Sequence, residues 1–326
     1  MGCYFNPANT TPFFSSVKSH PSFFFFDGYA CSYYTAQAVP AALSFSNYYE
    51  QIDISRTPTI IELADELDFY SCFLTNQPKA ITIDIITRLT SAKEALIKNV
   101  NRSWHEGDEF ISFDKRLISV TEEKIQQVPT GKNALFVLQL FGSHYPFEKR
   151  IPKDFRRPFQ YTFQQEKETP TEAKNMADYL ASISYTDEVL KEFFAMLHKK
   201  FGDTVPYSVI YFSDHGENPN YTRGDRHPSL LWLRIPYVIF LSQAYQKRYP
   251  ATAEILRINT KYPVTNDLTA NIFTALSHIT FKNHILPDKY NLASPHYGIR
   301  LEQVPVNEGK MKLLDVIRSN SKKSQE

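Results

Sequence analysis

The stretch "PYSVIYFSDHGE", residues 206–217, carries the reading of the fold. Its middle is a short apolar run of β-branched and aromatic residues bounded by Pro206 and Gly216. A run of that length is too short for a buried helix and fits a strand covered on both faces. It ends in Ser213, Asp214, His215 and Glu217, so a buried element opens directly into ionisable side chains. Upstream, "ALFVLQLFGSHYP" (134–146) reads as a second buried strand, closed by Gly142 and Pro146 and carrying His144 at its end. Between the two lies 171–201, where Met176, Tyr179, Leu180, Ile183, Leu190, Phe194 and Leu197 recur at spacings near three and four, the period of a helix. Downstream, "RIPYVIFLS" (234–242) reads as a strand and "TNDLTANIFTALSHI" (265–279) as a helix. Nearer the start, "FFFF" (23–26) has strand length, "TPTIIELADEL" (57–67) reads as a helix capped by Thr57 with Pro58 in its first turn, and "FYSCFLTNQ" (69–77) as a strand. The succession predicts an α/β fold with a mainly parallel central sheet and helices on both faces. The charged, proline-punctuated region 148–170 reads as a surface loop. Residues 1–310 read as one catalytic-sized domain and 311–326 as a polar, fraying tail.

In open α/β sheets, ligands bind beyond the carboxyl ends of the strands. Two predicted strands end in ionisable residues, one giving His144, the other Asp214, His215 and Glu217, with His227 one loop further on. Carboxylate and imidazole donors together suit Zn²⁺ or Mn²⁺. A lone Asp-His pair is more often a satisfied structural pair, but two strand ends and a downstream histidine favour the metal.

Bulk properties exclude several classes. The 326 residues include 36 Lys+Arg and 35 Asp+Glu, for a net charge of +1, which gives no basis for a nucleic-acid partner. The three cysteines, Cys3, Cys31 and Cys72, allow at most one disulfide and read as unpaired thiols. No apolar run approaches the roughly 18–20 residues of a membrane helix. The opening "MGCYFNPANTTP" has neither the basic start nor the long apolar stretch of a signal peptide.

"YFSDHGE", a histidine twelve positions after His215, and the preceding "GSHYPFEKRIPKDF" together resemble the catalytic domain of the phosphoethanolamine transferases, bacterial enzymes of the alkaline phosphatase and sulfatase superfamily. Other pieces agree in order: "NTTPFF" (9–14), "CSYYTAQAVPAALS" (31–44) around the nucleophile, "FLTNQ" (73–77) and "YLASISYTDEVL" (179–190). The resemblance implies Thr35 as nucleophile, with Asp214 and His215 binding a catalytic zinc beside it. It implies His144 and His227 as binders of the substrate phosphate or of a second metal, with Glu217 nearby. It further implies transfer of phosphoethanolamine from phosphatidylethanolamine, through a threonine intermediate, to lipid A or a core sugar of lipopolysaccharide, at the periplasmic face of the bacterial inner membrane. Zinc, or manganese in its place, would lower the pKa of the threonine hydroxyl.

The chain departs from the family's pattern in three places. The family opens this domain with a strand ending in Gly-Glu-Ser/Thr, whose glutamate is a further zinc ligand, and the stretch that resembles the next segment already begins at residue 1. The expectation is a catalytic domain lacking that strand, with impaired metal binding and transfer. Cys31 matches one half of a family disulfide, but the usual partner position holds Ala41. The family's membrane helices are not read in this chain. Other readings stand beside this one: a non-catalytic remnant, a phosphoglycerol transferase, or a sulfatase-like hydrolase, the last opposed by "CSYYT", which lacks the Cys/Ser-x-Pro-x-Arg needed to make formylglycine.

Overall fold

The computed structural model describes residues 9–77, 96–99, 113–155, 169–219, 229–279 and 287–323. In chain order the elements are α1 (Pro12–Val17), β1 (Phe23–Tyr29), α2 (Thr35–Ala42), α3 (Ile60–Glu66), β2 (Tyr70–Thr75), β3 (Leu96–Asn99), α4 (Arg116–Gln126) and β4 (Ala134–Gln139). Next come α5 (Pro170–Phe201), β5 (Ser208–Phe212), α6 (Leu230–Leu233), β6 (Arg234–Leu241), α7 (Gln243–Arg248), α8 (Pro250–Asn259) and β7 (Pro263–Thr265). The chain closes with α9 (Thr269–Leu276), β8 (Pro305–Val306), β9 (Met311–Lys312) and α10 (Leu313–Lys323). It divides into two compact units, one of Met1–Val17, Ile61–Gly202 and Pro219–Thr222, the other of Lys18–Ile60, Asp203–Asn218 and Arg223–Glu326.

The first unit holds a parallel three-stranded sheet in the order β3-β2-β4, with Cys72 opposite both Leu96 and Phe136. Cys72, Leu74, Leu117 and Val120 form a core between β2 and α4. The long helix α5 starts where the sequence places it, because Thr169 and Glu172 form a reciprocal capping box and Pro170 takes the first turn. Leu180, Ile183, Leu190, Phe194 and Leu197 are buried along it, the stripe that the three-four spacing predicted. Asp187 on the same helix accepts the Phe13 and Phe14 amides at 2.7 and 3.2 Å and so caps α1.

The second unit holds a four-stranded sheet in the order β5-β6-β1-β7. β6 runs antiparallel to both β5 and β1, and β1 runs parallel to β7. β5, β1 and β7 therefore point the same way and end at the same edge of the sheet. The α/β class holds, but β6 adds antiparallel pairs to a sheet expected to be mainly parallel. An unbroken apolar run reports burial on both faces and carries no information on direction. α6 runs straight into β6, which starts at the edge where β5 ends, and the chain turns back there.

Three boundaries differ from the sequence reading. The helix expected over 57–67 begins at Ile60, because Thr57 closes a short 3₁₀ turn, its amide donating to Ile54 O at 3.4 Å. The helix expected over 265–279 is three pieces: the end of β7, a 3₁₀ turn at Asn266–Leu268, and α9. The expected fraying tail is ordered as β9 and α10, with Leu313 and Val316 fully buried in the core of the second unit, since three-residue spacing gives this charged segment one apolar face. Cys31 and Cys72 are buried thiols, and Cys3 lies outside the described residues. Among the described residues no helix is long and apolar enough to cross a membrane.

Candidate active site

The site is built where β1 and β5 end. After β1 the Ala30 amide donates to Leu233 O at 2.7 Å, and the chain then leads through Cys31–Tyr34 into α2, whose first residue is Thr35. Ala36, Ala38, Ala41 and Ala42 favour helix, while Pro40 inside it has no amide to offer Ala36 O, and α2 stops two residues later. The Gln37 and Ala38 amides both donate to Tyr34 O, at 3.2 and 3.0 Å, which closes the first turn around Thr35. Ser32 Oγ bridges this segment, accepting from Tyr34 N at 3.3 Å and donating to Glu308 at 3.1 Å. Cys31 packs with Ala38 and Ala41, so the position that would carry a disulfide partner does lie against Cys31.

After β5 the chain turns through Ser213, Asp214 and His215. Ser213 Oγ donates to His215 O at 2.7 Å, and the Gly216 amide donates to Trp232 O at 2.7 Å. Gly216 is required here: a Cβ would stand 2.0 Å from Leu231 O and 2.9 Å from Arg234 O.

Thr35, Asp214 and His215 converge within the second unit. Thr35 Oγ1 donates to Asp214 Oδ2 at 2.5 Å and lies 3.2 Å from His215 Nε2, which is 3.3 Å from the same carboxylate oxygen. His215 Nδ1 donates to Gly216 O at 2.8 Å, and that bond fixes the tautomer. In the neutral imidazole Nε2 then presents its lone pair to Thr35 and Asp214. The His215 side chain is 8% exposed and that of Asp214 27%, so the trio is sheltered yet reachable from solvent.

The carboxylate and imidazole of the trio are donors that suit zinc. A tetrahedral ion with bonds of ~2.0–2.1 Å sets its ligand atoms roughly 3.3 Å apart, close to the 3.2 and 3.3 Å from His215 Nε2 to the two oxygens, whereas the 2.5 Å between Thr35 Oγ1 and Asp214 Oδ2 is a hydrogen bond that an ion between them would open. Among the described residues no group of three or more His, Cys, Asp or Glu stands together, so the third donor of this trio is the hydroxyl.

Glu217 follows two residues after His215, and its side chain accepts from Asn218 N at 3.1 Å. His227 lies outside the described residues. His144 belongs to the first unit, in the loop after β4. That loop is held by Asp114, a buried carboxylate that accepts the amides of Phe141 and Gly142 and the Asn76 side chain, each at 2.8 Å. Arg150 lies over the Phe141 ring at 3.6 Å and donates through Nε to His144 O at 3.1 Å. Burial pulls the Arg150 guanidinium down to about 10 and pushes the Asp114 carboxyl up, against the pull of its hydrogen bonds. The "TNQ" segment clamps the ends of β2 and β4: Thr75 Oγ1 donates to Gln139 at 2.9 Å and the Asn76 amide to Gln139 O at 2.9 Å.

Sequence reasoning missed Asp114 and Asn266. Asn266 is fully buried; it accepts from Cys31 N at 3.0 Å and donates to Asp214 O at 2.7 Å. The available signal was "TND" directly after Pro263-Val264, three polar residues opening a run that reads as helix (all three prove fully buried).

Residues 1–279 match the family model described as Sulfatase. Phosphoethanolamine transferase EptA of Escherichia coli (strain K12) is 28% identical over 152 residues, covering 44% of this chain and 27% of that protein. The match thus spans about a quarter of that relative's length. The C-terminal periplasmic domain of EptC from Escherichia coli, solved in complex with Zn, superposes with a TM-score of 0.80 at 17% identity, over 95% of this chain and 86% of that one. The soluble domain of lipooligosaccharide phosphoethanolamine transferase A from Neisseria meningitidis does so at 0.69 and 18%, over 87% and 84%.

Proposed function

The chain belongs to the sulfatase family, and from that premise we propose that it is the catalytic domain of a phosphoethanolamine transferase. The observation that carries the reading is Thr35 Oγ1 held 2.5 Å from Asp214 Oδ2 and 3.2 Å from His215 Nε2 at the first residue of α2. A hydroxyl so held serves as a nucleophile, whereas the formylglycine of a sulfatase needs a Cys/Ser-x-Pro-x-Arg that "CSYYT" lacks. The similarity to EptA supports phosphoethanolamine among the groups such a hydroxyl could carry.

Asp214, His215 and Thr35 would hold a zinc ion, with manganese as the alternative. When bound, such an ion lowers the pKa of the hydroxyl and neutralises charge on the phosphoryl oxygens. The chain's own groups do the rest. Asp214 Oδ2 accepts the Thr35 proton as Oγ1 bonds to the phosphorus of phosphatidylethanolamine. The bond from phosphorus to the diacylglycerol oxygen breaks, and that oxygen takes up a proton. The amides at the start of α2 favour the anion that develops beside them. After Asp214 has passed its proton to the diacylglycerol oxygen, a hydroxyl of lipid A or core sugar gives its own proton to Asp214 as its oxygen attacks phosphorus, and Thr35 Oγ1 leaves and takes that proton back from Asp214. An ionised phosphate oxygen attacks without this transfer, and Thr35 Oγ1 is then protonated from solvent. His144 and His227 would bind the substrate phosphate or a second metal, with Glu217 nearby, and a lipopolysaccharide acceptor would be met at the periplasmic face of the inner membrane.

Incubation with phosphatidylethanolamine and subsequent peptide mass spectrometry tests this. The expected adduct is phosphoethanolamine on Thr35, absent from Thr35→Ala. An adduct on Ser32, Tyr33 or Tyr34, or full transfer by Thr35→Ala, overturns the assignment.

A further inference from the structure

The hydrogen bonds of the Asn266 side chain go to two distant segments. Its Oδ1 accepts from Cys31 N at 3.0 Å, while Nδ2 donates to Asp214 O at 2.7 Å and lies 3.3 Å from Ser213 O. Cys31 opens the segment that runs from β1 to Thr35, and Ser213 and Asp214 open the one that runs from β5 to His215. β6 lies between β1 and β5 in the sheet, so at ~4.8 Å per strand those two are roughly 10 Å apart. The two segments must converge beyond the sheet's edge to bring Thr35 Oγ1 within 2.5 Å of Asp214 Oδ2. No sheet ladder spans β1 and β5 directly, and the buried carboxamide ties together the two segments that leave their ends.

A carboxamide suits this junction. It offers an acceptor for the Cys31 amide and two N–H donors for two carbonyls, and those partners fix which end is oxygen. A carboxylate of the same shape would turn negative charge toward the carbonyl oxygens of Ser213 and Asp214. A hydroxyl has a single proton.

We propose that Asn266 is a positioning residue for the Thr35–Asp214 pair, setting the separation of nucleophile and carboxylate through the main chain of both. The inference rests on the proposed roles of Thr35, Asp214 and His215. Asn259 supplies the control. It is also buried and also donates to two carbonyls, Leu292 O at 2.8 Å and Ser294 O at 2.9 Å, but touches neither segment.

The experiment compares the full chain with Asn266→Asp, Asn266→Ala and Asn259→Ala by zinc affinity in chelator competition, by thermal melting, and by kcat and KM for phosphatidylethanolamine. Supporting groups of this kind typically change metal affinity or activity by about 10–100-fold. Both Asn266 variants should lose about that much zinc affinity and kcat, with KM within about twofold. Asn259→Ala should lower the melting temperature and leave zinc affinity and kcat at the parent values. Asn266 variants that melt early but keep zinc affinity and kcat overturn the inference and leave the transferase reading standing. A parent that holds zinc without transferring phosphoethanolamine overturns the transferase reading; the inference then stands or falls on the zinc affinity of the Asn266 variants. A parent that does neither overturns both.

Discussion

At the scale of the residue, the site depends on small groups held at short range. Thr35, Asp214 and His215 were named from the sequence, and the structure brings those three together within 3.3 Å. Gly216 could not be assigned a role that way, since glycine after Asp-His looks like any turn. Its need comes from Leu231 O, which would stand 2.0 Å from a Cβ. A backbone oxygen cannot swing aside as a flexible side chain can, so Gly216→Ala must displace either the His215 turn or α6. Overpacking of this kind costs about 1–3 kcal/mol. Urea unfolding should show Gly216→Ala destabilised by about 2 kcal/mol or more, together with loss of the Thr35 adduct. A variant as stable as the parent that still forms the adduct would refute this account of the turn.

At the scale of the element, strands and helices were legible where packing is one-sided or periodic. α5 matched the predicted span because its capping box and apolar stripe are local features. Thr57 misled, since a threonine before proline reads as a helix cap and here closes a 3₁₀ turn. The loop after β4 shows what lies beyond local patterns. Asp114, distant in sequence from that loop, satisfies two of its amides and the Asn76 side chain. Asp114→Ala would leave those donors buried without an acceptor, and Arg150 without its nearby carboxylate. Breaking a buried charged arrangement of this kind costs about 3–5 kcal/mol. Denaturant unfolding of Asp114→Ala should therefore fall by roughly 3 kcal/mol or more, and proteolysis should cut first near Phe141–Tyr145. A loss below about 1 kcal/mol would show that water replaces the carboxylate at little cost.

At the scale of the whole molecule, each compact unit buries one carboxyl that burial pushes up to about 6, Asp187 in the first and Asp267 in the second. Their amide and hydroxyl donors pull the other way and do not win. A carboxyl raised in the folded state favours folding while both states are protonated, below about pH 4, and that stability is lost as pH rises through about 6. A rise of this size corresponds to about 3 kcal/mol per carboxyl at neutral pH. Melting temperature should thus carry a downward contribution between pH 4 and 7 that Asp267→Asn reduces, because the amide has no proton to lose. Parallel melting curves for parent and Asp267→Asn across that range would exclude the assignment. Neighbouring residues alone specified the α/β class and the strands that end in ionisable residues, Asp214 and His215 among them, because apolar runs and helical period are written locally, while Thr35 was singled out only through the family resemblance. Folding in three dimensions was needed to set β6 antiparallel, to start α2 at Thr35, to pack residues 313–323 as a helix, and to make Asn266 and Asp114 hold loops far from them in sequence. Those outcomes depend on which carbonyls and amides meet when distant segments are buried together, and the chain's local pattern does not record that.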